Sequence, residues 1–350
     1  MIDLDYIYTS ELPNRNANSV HVTHFSEALS TEFNFRLFAY IKNNKSSVYK
    51  HYAIRKNFNI EELHLNKYLN IIFLLVTKKL KKNIYVRDFF CALILALFGK
   101  NVIWEAHIYS DKLIYKIAYK FASIFNFFFK IVVITEALKE KHLSNFKYEC
   151  LEVLPDGCRT QLDIKNHSKK SKLNIGYVGS FHKGKGVETI IKIAEKVPEH
   201  NFIIVGGTNK KIFNLKKTAT SNIKFKGYLN QSHLPMIYKD LDIALLPNMP
   251  SVRIFDSGQE IGGVTSPLKL FEYFSYGIPI IASDLDVLKE VLNSNNSILV
   301  QFDDIKKWCE AIKKLENIEL REKLSNNGLE ELKLKYSWSV RAVKVKKFFL

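Results

Sequence analysis

Residues 266–284 read SPLKLFEYFSYGIPIIASD, a helix marked at both ends that runs into a buried strand. Ser266 is a favoured N-cap, Pro267 suits the first helical position, and Gly277 followed by Pro279 closes the helix about three turns later. Residues 278–282, IPIIA, are continuously apolar and rich in β-branched side chains, as in a short strand covered on both faces of a parallel sheet. Gly262, Gly263, Val264 and Thr265 precede the helix and put little bulk beside its first backbone N–H groups, which suits a phosphate or pyrophosphate. Glu272 lies about one turn into the helix. A carboxylate there repels phosphate and is better placed to accept hydrogen bonds from sugar hydroxyls.

Outward from this stretch the chain alternates short apolar segments with helical patterns. Residues 2–8, 35–40, 84–86, 102–104 and 131–135 form one series of strand-like segments, with a helix expected over 20–30. A second series occupies 173–178, 202–205, 223–225, 243–246 and 278–281. Such α/β alternation implies parallel sheets covered on both faces. HSKKSK at 167–172 has no apolar residue and is the linker between the two series. The division expected is therefore 1–166 plus a terminal helix over 336–350, and 167–335. A chain of 350 residues with 47% apolar content has the length for two domains with sizeable cores.

Cys91, Cys150, Cys158 and Cys309 form no CxxC pair and no metal spacing with the histidines, which suits a reducing cytosol. Met1 is followed by Ile2, Asp3, Leu4 and Asp5 rather than a basic and then apolar leader, so secretion is not expected. The longest uncharged apolar run, 89–99, is far short of the ~20 residues of a membrane-spanning helix.

The net charge of +17 is unevenly distributed: residues 36–130 hold 17 Lys and Arg against 5 Asp and Glu. Lys112, Lys116 and Lys120 recur every fourth residue within LIYKIAYKFASIFNFFFK, and Lys78, Lys79, Lys81 and Lys82 form a second cluster. Basic and apolar residues interleaved at this spacing fit a helix lying on an anionic membrane. The alternatives are a helix packed on its own sheet with a solvated lysine face, and nucleic acid. No recognised nucleic-acid module supports the latter.

The stretch 266–284 closely resembles the donor-binding helix of the family-4 glycosyltransferases, retaining enzymes of the GT-B fold that use nucleotide-diphosphate sugars. Further segments agree in order: HVTHFSEAL (21–29), WEAH (104–107), VITEALKEKHL (133–143), VLPDG (153–157), IGYVGSFHKGKGVETII (175–191), IIVGG (203–207) and FKGYLNQSHLPMIYKDLDIALLPN (225–248). The resemblance implies two Rossmann-like α/β domains facing a central cleft. The first, 1–166, would bind acceptor and the second, 167–335, the donor, with the helix 336–350 crossing back onto the first.

In IGYVGSFHKGKGV a strand ends at Gly179, a loop carries Lys183 and Lys185, and a helix begins near Gly186, a phosphate-binding arrangement on physical grounds. By resemblance Lys185 is the phosphate lysine. The arginine common five residues earlier is Ser180 here, and His182, Lys183 or Lys269 is its expected substitute. His107, at the carboxyl end of a strand, stands where open α/β sheets bind ligands, and resemblance puts it beside the reacting sugar, with Glu105 as a second contact. Glu272 matches the ribose carboxylate. Its usual partner, eight positions earlier, is Val264, and Glu260 is the replacement considered.

Gly263, Thr265 and Ser266 are expected to donate to the pyrophosphate. Gly206, Gly207, Gly227, Tyr228 and Leu229 are expected around the base. Arg15, Asn18 and His21 are candidates for acceptor or phosphate. No metal site and no cofactor are expected, the only co-substrate being a UDP- or GDP-sugar. The reading is sugar transfer to a glycan acceptor, lipid-linked, in surface polysaccharide synthesis, by a protein peripheral at the inner face of the cytoplasmic membrane. The alternatives are a nucleotide-sugar epimerase or hydrolase on the same fold and a non-catalytic sugar-nucleotide-binding protein.

Overall fold

The computed structural model describes residues 1–128, 130–144, 150–161, 164–252 and 262–350. Glu260 lies outside them. The chain forms two compact units, 1–156 with 338–350, and 157–337. The divisions fall after Asp156 and after Ser337. The stretch HSKKSK lies inside the second unit, where His167 Nε2 is 3.0 Å from the Gly277 carbonyl and Lys170 donates to Asp242 at 2.9 Å.

The first unit holds a seven-stranded sheet in the order β3-β2-β1-β4-β5-β6-β7. Its strands are β1 (Asp3–Leu12), β2 (Asn34–Ile41), β3 (Asn59–Glu62), β4 (Asn83–Val86), β5 (Asn101–Ala106), β6 (Lys130–Val133) and β7 (Leu151–Val153). The second holds six strands in the order β10-β9-β8-β11-β12-β13: β8 (Asn174–Val178), β9 (Asn201–Val205), β10 (Ile223–Gly227), β11 (Ile243–Leu246), β12 (Ile280–Ser283) and β13 (Ser297–Val300). Every strand pair is parallel. In both sheets the order reverses beside the first strand of the unit. That topological switch leaves a crevice at the carboxyl ends of the strands.

The helix read from the sequence runs Leu268–Ser275. Its N-cap position is taken by Pro267, in extended conformation and with no side-chain cap, so the helix starts one residue later than the Ser266 cap implied. The C-terminal signal holds as expected. Gly277 adopts φ +65°, the Gly277 N–H reaches the Phe274 carbonyl and the Ile278 N–H the Tyr273 carbonyl, each at 3.0 Å, closing a Schellman motif. β12 follows, wholly buried between β11 and β13.

The helix Trp338–Lys347 belongs to the first unit and packs on the helix Ala17–Glu32. Trp338 stands edge-on to His21 and packs on Phe25, while the Arg341 guanidinium lies over the Phe25 ring at 5.1 Å.

Candidate active site

In the second unit the carboxyl ends of β8, β9 and β10 are tied together by backbone. The Gly179 N–H donates to the Val205 carbonyl at 2.9 Å and the Gly206 N–H to the Gly227 carbonyl at 2.7 Å. Gly206 has φ +119°, and a Cβ there would lie 1.8 Å from the Gly179 carbonyl oxygen, so only glycine allows this approach. The loop beyond β8 turns through Gly184 and Gly186, both at positive φ, and leads into the helix Val187–Lys196.

Two cations converge on this loop. Lys269, in the first turn of Leu268–Ser275, runs its aliphatic stem across Gly179: a Cβ on Gly179 would sit 1.8 Å from Lys269 Cε. Its ammonium is 5.7 Å from the Tyr177 ring centre. Burial lowers the affinity of Lys269 for its proton, against the pull of Glu272. Lys185 is half-buried, and burial together with the neighbouring charge of Lys269 brings its ammonium down to about 7. Among the described residues no carboxylate forms a salt bridge with either lysine. Two half-buried lysines whose charges act on each other, with Glu272 bearing on Lys269 but forming no salt bridge with it, suit a polyanion. Of the substitutes expected for the arginine replaced at Ser180, Lys269 is the one brought to Lys185, whereas Lys183 is exposed.

Glu272 is half-buried one turn beyond Lys269. The buried Tyr238 hydroxyl donates to its Oε2 at 2.6 Å and fixes the carboxylate. Burial raises its pKa, opposed by Tyr238, Lys269, Arg159 and Gln231. Gly263 is exposed in a 3₁₀ turn, Gly262–Val264, and Val264, Thr265 and Ser266 are half-buried beyond it. Thr265 Oγ1 is buried with no hydrogen-bond partner among the described residues, a donor left for a ligand. Tyr228 is exposed after β10, and Leu229 packs against the core.

Residues that sequence reasoning passed over also belong here. Tyr238 and Asn248 lay within the 225–248 motif without being singled out. Asn248 is buried at the end of β11, its Oδ1 unpartnered among the described residues. Arg159, two residues beyond the VLPDG segment, acts on the Glu272 charge. Polar residues at the carboxyl ends of buried strands were the signal available.

In the first unit His107 follows β5 and is half-buried, its Nε2 3.2 Å from Glu105 Oε1. The pair shares one face of the extended segment, as alternation requires. Glu105 was expected as a second contact beside His107, and His21 as a contact to acceptor or phosphate. Both are instead fully buried, their polar atoms turned on each other and on their neighbours. His21 Nε2 lies 3.1 Å from Glu105 and its Nδ1 2.8 Å from Asp156, while Arg341 donates to Glu105 and Arg87 Nε stands 3.9 Å away. Burial opposes the charge on Glu105, but His21, Arg341, His107 and Arg87 hold its carboxyl well below the usual carboxylate range. Burial, with Arg87, pushes His107 down to about 4 against the pull of Glu105, so its imidazole is neutral at pH 7. His21, Glu105 and His107 bring three ligand atoms within 4.8 Å. A metal ion there would have to share Glu105 with the Arg341 guanidinium. Arg15 and Asn18 are exposed at the start of Ala17–Glu32.

The Gly179 geometry makes a prediction. Gly179→Ala should displace the flexible end of Lys269 and weaken nucleoside-diphosphate binding about tenfold or more with little change in Tm. Gly206→Ala, which meets backbone, should lower Tm. Calorimetric binding and thermal melts of both variants check this, and unchanged affinity in Gly179→Ala would remove Lys269 from the site.

Residues 172–317 match the family described as Glycosyl transferases group 1. An uncharacterized 41.2 kDa protein in the cps region of Klebsiella pneumoniae is 29% identical over 152 residues, 42% of this chain and 38% of that protein. An uncharacterized glycosyltransferase of Methanocaldococcus jannaschii is 25% identical over 97% of this chain and 95% of its own length. Among solved structures, Anabaena HepE in complex with UDP superposes with a TM-score of 0.76 at 11% identity, over 99% of each chain. With the family match running through residues 172–317 of the second unit and two parallel sheets of the architecture seen in HepE, the chain has the GT-B fold, and its second unit is similar to the group 1 glycosyltransferases.

Proposed function

We propose that the chain moves a sugar, with retention of anomeric configuration, from a UDP- or GDP-sugar to a lipid-linked glycan acceptor in the synthesis of a surface polysaccharide, at the inner face of the cytoplasmic membrane. The observation that carries the donor half of this reading is the pairing of Lys185 and Lys269 beside a carboxylate anchored by Tyr238. Departure of a nucleoside diphosphate builds negative charge on its terminal phosphate. Fixed ammonium groups and the unpartnered Thr265 hydroxyl favour that charge where it develops. Glu272 accepts from the ribose hydroxyls. Tyr228, Leu229, Gly206 and Gly227 take the base, and Gly263 and Ser266 the pyrophosphate. His107, neutral, hydrogen-bonds a hydroxyl of the reacting sugar without adding a positive charge next to the developing oxocarbenium.

With the charge on the leaving group met by lysines, the reaction needs neither metal nor cofactor. The departing phosphate takes the proton of the acceptor hydroxyl that attacks on its own side of the sugar, and attack from that side retains the anomeric configuration. The relative in a cps region and the UDP complex of HepE support the surface-glycan and nucleotide parts of the reading.

The test is a thermal-shift titration with UDP, GDP and their sugar conjugates, with Glu272→Ala as control. One nucleotide at about 100 times its Kd should stabilise the protein by about 2.7 kcal/mol, and Glu272→Ala should lose most of that gain. A flat response to every nucleotide would sink the donor assignment.

A further inference from the structure

The helix Leu113–Ile124 buries only Tyr119 and Ala122 in the first unit. At about 100° per residue, Leu113, Ile114, Ile117, Phe121 and Ile124 fall within an arc of about 100° whose centre lies about 160° from the two buried residues. All five are exposed, Leu113 by 74% and Ile124 by 66%. The apolar stripe thus points away from the core it is expected to cover. Lys112, Lys116 and Lys120 occupy the flank between the stripe and the sheet, and the helix contains no Asp or Glu. Asp111 just before it pairs with Lys116 at 3.5 Å and Lys141 at 3.7 Å, and remains exposed.

The helix Lys67–Val76 repeats the pattern, with Leu69, Ile72, Phe73 and Val76 exposed, Lys78 and Lys79 directly after it, and the Lys79 ammonium over the Phe73 ring at 5.4 Å. The helix Phe89–Leu97 joins the two: it packs on Lys67–Val76, and its Phe90 ring lies 4.9 Å from Tyr115.

From this geometry we infer that the first unit docks by insertion, with Leu113–Ile124 lying in the plane of an anionic phospholipid bilayer, its apolar stripe among the acyl chains and its lysines at the headgroups. A twelve-residue helix is about 18 Å long and lies in the interface rather than spanning it. No described helix is long and apolar enough to cross a membrane. Lysines beside an exposed apolar stripe with no acidic residue between them complement anionic lipid. A second copy of this chain would bring two lysine stripes together. The inference sharpens the lipid-linked acceptor reading by naming the surface that meets the lipid, and it does not depend on donor chemistry.

Flotation of the intact protein with phosphatidylglycerol–phosphatidylethanolamine vesicles, and with phosphatidylcholine vesicles, tests it at low and high salt. The protein should float with the anionic vesicles and keep part of that binding at high salt, where attraction between charges alone fades. Ile114→Asp with Ile117→Asp should reduce binding at least tenfold at both salts. Lys112→Glu, Lys116→Glu and Lys120→Glu together should reduce it mainly at low salt. As a check independent of those variants' folding, the emission that Ile117→Trp adds to the wild-type spectrum should shift to the blue on anionic vesicles and be quenched by brominated acyl chains. Wild-type protein left at the bottom of the gradient, or added emission from Ile117→Trp that does not respond to vesicles, overturns the inference. So does a vesicle-free dimer abolished by the double aspartate variant, which would assign the stripe to self-association. Nucleotide shifts measured without vesicles keep failure of the transferase reading separate.

Discussion

Lys185→Met is expected to lower turnover by about 10²–10³-fold, the scale on which one fixed donor to a developing anion contributes, while leaving the protein at least as stable. Both halves of the expectation come from the same environment. In the free protein Lys185 stands beside Lys269, and burial and repulsion hold it down to about 7. An unfolded lysine keeps its proton to about pH 10.4, so between about pH 10 and 7 the unfolded chain binds more protons at this position and the folded chain is penalised. Methionine fills the space of the stem and removes that penalty.

A bound diphosphate reverses the balance. Its charge favours the ammonium, so the complex carries more protons than the free protein. Nucleotide affinity should therefore rise as pH falls from about 9 toward 7 and level off below about 7. Proton uptake on binding, measured by calorimetry at about pH 8 in buffers of different ionisation enthalpy, should appear in the wild type and disappear in Lys185→Met. Turnover unaffected by the substitution, or binding without proton uptake, would place the leaving group elsewhere.

The second large effect concerns stability. Arg341→Met should destabilise the protein by about 3–5 kcal/mol, as does removal of one partner from a buried ion pair. Glu105 is fully buried, and the Arg341 guanidinium is held against it while also donating to the Pro155 carbonyl at 2.7 Å. Arg87, at 3.9 Å, is too far to replace it. The cost is that of a stranded carboxylate more than of a lost attraction, so Glu105→Gln with Arg341→Met should recover a good part of the loss. Urea unfolding of the single and double variants measures the coupling. A loss below about 1 kcal/mol in Arg341→Met would mean that water or a neighbour reaches Glu105 and that the cluster is looser than its burial indicates.

How far this was readable in advance depended on where each residue sits in its sheet. Central strands such as β11 and β12 are buried on both faces and announce themselves as apolar runs. The strands missed, β3, β7 and β13, are all edges. NIEE and LEV alternate or carry acidic residues because one side faces water, and so they resemble loops. The Lys185 loop was legible because glycines and lysines between a strand and a helix carry a local meaning. That Lys269 rather than Lys183 joins Lys185 was not, since it depends on the empty side of Gly179, which meets a residue 90 positions away. Glu105 and His21 misled for a related reason. Polar residues at a strand end suggest ligand contact, and only the helix Trp338–Lys347 shows that an arginine from far along the chain has claimed the carboxylate.

That helix also sets the order in which the protein can mature. The chain leaves the first unit after Asp156, builds the whole second unit, and returns at Trp338. During synthesis at about 5–20 residues per second, the first sheet waits roughly ten seconds or more for Arg341, with Glu105 facing no resident guanidinium but Arg87. Domains that emerge first usually finish first. Here the second unit, contiguous in sequence, can close before the first, and the first remains unlocked until the second has been made.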